Sequence, residues 1–132
     1  DAASDNSVKL TGRVELISTA IVLHPFRSGA FVSSRIKDPT KREELKEFGA
    51  TLALGDLGIT FRTEAQNVSL SQLKDTADKL IRHWKTISKN KAKQKCPNLL
   101  TQGPEPIEQI MRDFTTADTA VYFDKIRGLD HL

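Results

Sequence analysis

Residues 58–65 read GITFRTEA, an apolar stretch that opens on glycine and delivers Arg62 and Thr63 at its end. A guanidinium beside a hydroxyl is a set of hydrogen-bond donors, one group permanently charged, and such a set can grip a phosphate. The same two residues also suit an ordinary strand end meeting water. A second stretch with chemical meaning is RHWKTISKNKAKQK, residues 82–95, where Arg82, Lys85, Lys89, Lys91, Lys93 and Lys95 stand with no acid among them. Its field attracts polyanions, nucleic acid foremost, and salt screens it. The bland alternative is a solvated helix end whose cations suit the helix macrodipole, running into a linker.

Other chemistries find little support. His24, His83 and His131 are scattered, with no second ligand at helical spacing, so they read as packing or surface histidines rather than a metal set. Asp124 ends an apolar run where a carboxylate can hold magnesium, but it has no second acid to share the ion. No G-x-S-x-G, P-loop or dinucleotide fingerprint occurs. Cys96, the single cysteine, excludes an internal disulfide and any multi-cysteine zinc site, and is compatible with a reducing compartment.

The 132 residues suit one domain, or one domain with part of another. At 38% hydrophobic and 28% charged the composition is that of a globular protein, and no apolar run approaches the roughly 20 residues of a membrane helix. The net charge of +3 says less than the uneven placement of the lysines. The opening DAASDNS lacks methionine and a basic-then-apolar pattern, and reads as a truncated or processed end rather than a signal peptide.

Several elements must position these residues. RVELISTAIVL, residues 13–23, alternates and then runs apolar, as a strand entering a core does. HPFRSG turns the chain and AFVSSRI resumes, which reads as a hairpin with a long loop. Asp38 offers an N-cap and Pro39 a first helical residue, so DPTKREELKEFG is predicted as a short helix closing at Gly49, with Leu45 and Phe48 inward. LGITFRT is a third strand. Ser69 and Gln72 have capping-box spacing, and Leu70, Leu73, Ala77, Leu80, Ile81, Trp84 and Ile87 then form one helical stripe, best read as core. The lysine-rich stretch and Cys96-Pro97 mark a linker or boundary. Beyond it GPEPIEQIMRDF predicts a helix with Ile107, Ile110, Met111 and Phe114 inward, and TAVYFDK one more strand. The expectation is an α+β fold: a small, mostly antiparallel sheet with packed helices, plus a C-terminal helix and strand that need a partner to finish their layer.

Taken in order, LTGRVELISTAIVLHP, FVSSRI, LGITFRT, LIRHWKTI and LLTQGPEPIEQIMRDF closely resemble a contiguous region of the ribonuclease E/G family, from about residue 10 to the C-terminus. The resemblance implies the end of an OB-type RNA-binding domain, a 5′-sensor subdomain and the start of an RNase H-like subdomain. It divides the chain into a flexible segment 1–9, a sensor-like α+β domain 10–95 and a partial RNase H-like piece 96–132. By that likeness Arg62 and Thr63 bind the 5′-monophosphate of an RNA, Val22 packs on the terminal base, and Ser18 stands beside the phosphate where the family commonly has glycine. Lys89, Lys91, Lys93 and Lys95 would add nonspecific affinity for the RNA backbone.

Glu64 is a second departure, because in a continuing strand it shares a face with Arg62 and would pair with it. The family cuts RNA with paired acids holding magnesium, in a domain beyond the matched region, so no cofactor and no catalytic residue is expected in this chain. Expected partners are RNA and the remainder of the nuclease, with homo-oligomers formed through other regions. The alternative is a family relative without nuclease, serving as a structural component of an organellar ribosome or other ribonucleoprotein. The compartment implied is cytoplasmic, or a plastid or mitochondrial matrix in the alternative.

Overall fold

Ile59 and Phe61 alternate with Gly58 and Thr60, while Ile21, Val22 and Leu23 run apolar into His24; Ile21, Leu23, Ile59 and Phe61, at period two, give each short strand one face to bury. The computed structural model, which describes residues 11–91, 93, 95, 97–115 and 118–122, pairs those faces in one four-stranded sheet. Its strands are β1 (Leu16–Ile17), β2 (Ile21–His24), β3 (Gly29–Val32) and β4 (Gly58–Phe61), in the order β1-β2-β4-β3. β1 pairs with β2 and β2 with β4, both antiparallel, while β3 runs parallel to β4. Three helices complete an α+β fold: α1 (Pro39–Thr51), α2 (Leu70–Lys91) and α3 (Pro106–Phe114). Contacts group residues 1–84 into one compact unit and residues 85–132 into another.

In the first unit the core lies on one face of the sheet. Ile21, Leu23, Ile59 and Phe61 are fully buried, together with Ile36, Leu45 of α1 and Leu73 of α2. Each such side chain contributes about 1.5–3 kcal/mol relative to exposure, which fixes the register against a one-residue slip. The opposite face carries Val22, His24, Phe31 and Thr60, all half-buried, and Ile17, which is exposed.

The predicted strand over residues 13–23 is two strands. Ser18 breaks it: its amide donates to the Ile21 carbonyl at 2.7 Å, its hydroxyl donates to the same oxygen at 3.0 Å, and the Ile21 amide donates back to that hydroxyl at 3.0 Å. A short polar side chain thereby closes a turn inside an otherwise apolar run. The predicted hairpin is also corrected. β2 and β3 are not neighbours, because β4 inserts between them after the chain has returned through α1, a crossover between parallel strands.

Residues 25–28 must therefore cross the end of β4. Two strand spacings are about 10 Å, within the roughly 14 Å that four extended residues reach. The crossing is close: a Cβ on Gly58 would stand 1.8 Å from the Arg27 carbonyl oxygen and 2.9 Å from its carbon.

Asp38 caps α1 as predicted, its Oδ1 accepting from the Thr40 amide at 2.9 Å with Pro39 in the first turn. The helix does not close at Gly49 but runs to Thr51. Gly49 is buried within it, where a Cβ would lie 2.5 Å from the Ala30 Cβ, so this glycine serves close helix-to-sheet approach rather than termination. The capping box of α2 forms, with the Ser69 amide donating to Gln72 Oε1 and the Gln72 amide to Ser69 Oγ, each at 3.3 Å. Its stripe is inward at Leu73, Ala77 and Ile87.

In the second unit α2 continues through Lys91, further than the sequence suggested, and α3 forms where predicted. The inward orientation expected for α3 is not found. Ile107 and Met111 are half-buried, but Ile110 and Phe114 are exposed, because nothing among the described residues covers that stripe. The strand read at TAVYFDK forms none over residues 119–122, and its remainder lies outside the described residues, as do residues 1–9, Cys96 and Asp124.

The two glycines separate backbone from side-chain crowding. Gly58→Ala should destabilise by at least about 3 kcal/mol, since a carbonyl must move. Gly49→Ala should cost less, because its overlap is smaller, 2.5 Å to the Ala30 Cβ against 1.8 Å at Gly58, and it gains about 1 kcal/mol of helix propensity. Urea denaturation of both variants checks the order, and equal midpoints would refute it.

Candidate nucleic-acid interface

Strand β4 ends at Phe61, and Arg62 follows with extended backbone, φ −76° and ψ 172°. Alternation therefore turns Arg62 to the face of Thr60 and Val22, away from the core side of Phe61. Two hydrogen bonds tie it to the β1–β2 turn. Its amide donates to the Ala20 carbonyl at 2.8 Å, and its Nη1 donates to the Ser18 carbonyl at 2.8 Å. The guanidinium is thus seated on the turn by a backbone oxygen that Ser18 holds in place through its own hydroxyl.

Thr63 does not extend the strand. A 3₁₀ turn, Thr63–Asn67, begins there, and the Ala65 amide donates to the Arg62 carbonyl at 3.0 Å. The shared face expected for Arg62 and Glu64 in a continuing strand does not arise, and the Glu64 carboxylate accepts from Asn67 Nδ2 at 3.2 Å. The Thr63 hydroxyl lies 3.4 Å from that of Ser33, at the end of β3. Ser33 in turn is anchored: its amide donates to the Phe61 carbonyl at 2.9 Å, and its carbonyl accepts from Arg42 Nη1 at 2.7 Å. The sequence reading missed Ser33, whose place beside Thr63 follows only from the parallel pairing of β3 with β4.

The structure therefore brings Arg62, Ser18 and Thr63 to one end of the sheet, with Val22 on the same open face between Ile17 and Thr60 in register. Ser18 meets Arg62 through its carbonyl, while its hydroxyl is committed to the turn. Lys89, Lys91, Lys93 and Lys95 are all exposed and belong to the second unit. Lys89 and Lys91 sit in the last turn of α2, where the macrodipole favours cations.

The other end of the strands holds a group that sequence reasoning left as a lone histidine. His24 Nε2 and Thr60 Oγ1 are 2.8 Å apart, and His24 Nδ1 is 3.5 Å from Glu15 Oε1. Burial pushes the imidazole below its ordinary value of 6.5; Glu15 opposes this, and the positive charges of Arg27 and Arg13 add to it. A cavity of about 540 Å³ opens here, lined by Arg13, Glu15, His24, Phe26 and Arg27 among others. The signal available in the sequence was HPFR, an aromatic and a cation in one tight loop.

Among the described residues no three histidine, cysteine or acidic side chains gather as a metal site, and no helix is long and apolar enough to cross a membrane.

The model of the Ribonuclease E/G family matches residues 15–131. A Ribonuclease E of Nostoc sp. is 27% identical over 122 residues, covering 92% of this chain and 18% of that protein. A Ribonuclease E/G-like protein of Pyropia yezoensis is 27% identical over 129 residues, 94% of this chain and 25% of the relative. Ribonuclease G of Escherichia coli is 28% identical over 127 residues, 96% of this chain and 25% of the relative. The chain thus spans between about a fifth and a quarter of the length of these relatives.

The histidine generates a pH dependence. With its folded value depressed, the unfolded chain takes up the proton first as pH falls, so the contribution of neutral His24 is whole above 6.5 and is lost below it. The urea midpoint should fall between about pH 7.5 and about pH 5.5, and His24→Gln should reduce that fall. An identical pH slope in the variant would contradict this account.

Proposed function

The chain belongs to the ribonuclease E/G family, and on that premise we propose that it is the RNA-binding part of an endoribonuclease of RNA processing and decay, and that the open sheet face receives an RNA 5′-monophosphate end. The observation that carries this reading is the seating of Arg62 Nη1 on the Ser18 carbonyl at 2.8 Å, with Thr63 next in the chain and Val22 on the same face. A guanidinium held by backbone loses little further freedom when an anion arrives, so more of the interaction appears as affinity.

In this arrangement Arg62 supplies the charge for the terminal phosphate, and the Thr63 hydroxyl, beside Ser33, supplies a second hydrogen bond. Val22 offers an apolar surface for the terminal base. Charge-assisted hydrogen bonds contribute about 1.5–3 kcal/mol each, enough to separate a monophosphate from a hydroxyl end by roughly tenfold or more. None of these groups reads a base edge, so ends are distinguished and sequences are not. Cutting is left to the family's paired acids with magnesium, which lie outside the family region that this chain resembles.

The exposed lysines Lys89, Lys91, Lys93 and Lys95 supply a different term. Ammonium groups neutralise backbone phosphates whatever the end chemistry, and release counterions as they do so.

Two measurements test these roles. Short RNAs differing only in a 5′ phosphate should bind with a preference of about tenfold to a hundredfold for the phosphorylated end, and Arg62→Gln should abolish the preference. Equal affinity of the unaltered chain for both ends would refute the 5′-end reading. Changing the four lysines to glutamine should weaken both RNAs alike and flatten the plot of log affinity against log salt by up to about 3. A loss confined to one end chemistry would contradict the backbone role.

A further inference from the structure

The cavity beside His24 lies at the opposite end of β2 and β4 from Arg62, since Ile21 pairs with Phe61 and His24 with Gly58. Val22 and His24 share the open face two residues apart, about 7 Å along the strand. The cavity is thus one step further along the surface on which a terminal base would rest. Its volume of about 540 Å³ exceeds what a small inorganic ion needs and falls in the range of small-ligand sites.

Its walls have a defined chemistry. Phe26 is 69% exposed, yet its ring is fixed, packed edge-to-face with Trp84 at 5.6 Å between centroids and 86° between planes. The Arg27 guanidinium lies 3.8 Å from the centroid of Phe31, a cation–π contact that holds the charge at the sheet. Arg13 is exposed on the strand-entry side. Against these two cations stands one carboxylate, Glu15, whose Oε1 lies 3.5 Å from His24 Nδ1. The site is therefore net cationic, with an immobilised aromatic face at its rim. Cations tracking a backbone beside an aromatic platform are the physical requirements of a single-stranded nucleotide site.

We infer that this cavity is a second RNA subsite, taking a nucleotide inward of the 5′ end, with its phosphate between Arg13 and Arg27 and its base on Phe26. The inference rests on the open face being the RNA-binding surface, and it adds a direction: the strand enters at Arg62 and continues past Val22 towards Phe26. Stacking on phenylalanine is open to every base, so the subsite contributes length dependence rather than sequence preference.

The test uses the full chain with a 5′-monophosphorylated mononucleotide and with RNAs of increasing length, each longer RNA also in a 5′-hydroxyl form. Affinity should rise on lengthening by about fivefold to a hundredfold. Phe26→Ala and, separately, Arg13→Gln should cut that gain for both end chemistries and leave mononucleotide binding unchanged. Arg62→Gln should do the reverse, abolishing the phosphate preference and preserving the gain. Arg13→Gln keeps the test sound where loss of the Phe26–Trp84 contact unfolds the first variant, and far-ultraviolet circular dichroism reports folding of both. A length gain untouched in both folded variants overturns the subsite. A gain that depends on Phe26 or Arg13 in a chain indifferent to the 5′ phosphate supports the subsite and overturns only the 5′-end reading.

Discussion

The carbonyl of Arg27 lies where any side chain at residue 58 would have to be, and the architecture follows from that approach. Because residue 58 is glycine, the β2–β3 loop can cross directly over the end of β4, and β4 can occupy the centre of the sheet with a partner on each side. A central β4 has two consequences at opposite ends. At its start, the crossing loop carries Phe26 and Arg27 to the rim of the cavity. At its finish, Arg62 emerges between the β1–β2 turn and the end of β3, within reach of the Ser18 carbonyl on one side and beside Thr63 and Ser33 on the other. A hairpin between β2 and β3 would have left β4 at an edge, and Arg62 without one of these two flanks.

The elements that were legible in the sequence are those set by local chemistry. Asp38-Pro39 predicts the start of α1 because a carboxylate cap and a missing amide act within one turn. Ser69 and Gln72 do the same for α2, and the stripe from Leu70 to Ile87 needs only helical periodicity. What stayed hidden depends on partners distant in the chain. The apolar run of Ile21, Val22 and Leu23 and the alternation at Ile59 and Phe61 mark strands but say nothing of which strand lies beside which. Gly49 and Gly58 read locally as a helix stop and a strand opening. Their actual roles, close approach to Ala30 and to the Arg27 carbonyl, exist only after folding.

The candidate site divides along the same line. Arg62 and Thr63 stood out by residue type and Val22 only by resemblance, and the reason they share a neighbourhood is strand register. Ser33 was missed because its nearness to Thr63 is a tertiary fact 30 residues removed. The pairing imagined for Arg62 and Glu64 assumed an unbroken strand; the 3₁₀ turn at Thr63 ends the alternation on which it rested. His24 looked isolated, since Glu15, just before β1, and Thr60 of β4 come to it from different parts of the chain.

The open face also accounts for its own composition. Its half-buried positions take the polar Thr60 and His24, while its strands need β-branched and aromatic residues to fit the pleat, which Val22, Ile17 and Phe31 provide. Mixed apolar and hydrogen-bonding groups in register, with guanidinium groups seated at both ends, form a surface on which flat, anionic, partly apolar units can lie in sequence. Charge alone would bind such a chain without order, and apolar contact alone would not bind it from water. The two alternate here because the pleat alternates, and they are anchored because Ser18 holds Arg62 and Phe31 holds Arg27. In the proposed complex, positional order along the RNA would be set by the sheet's register, through the same pairs that bury Ile21 against Phe61 and Leu23 against Ile59.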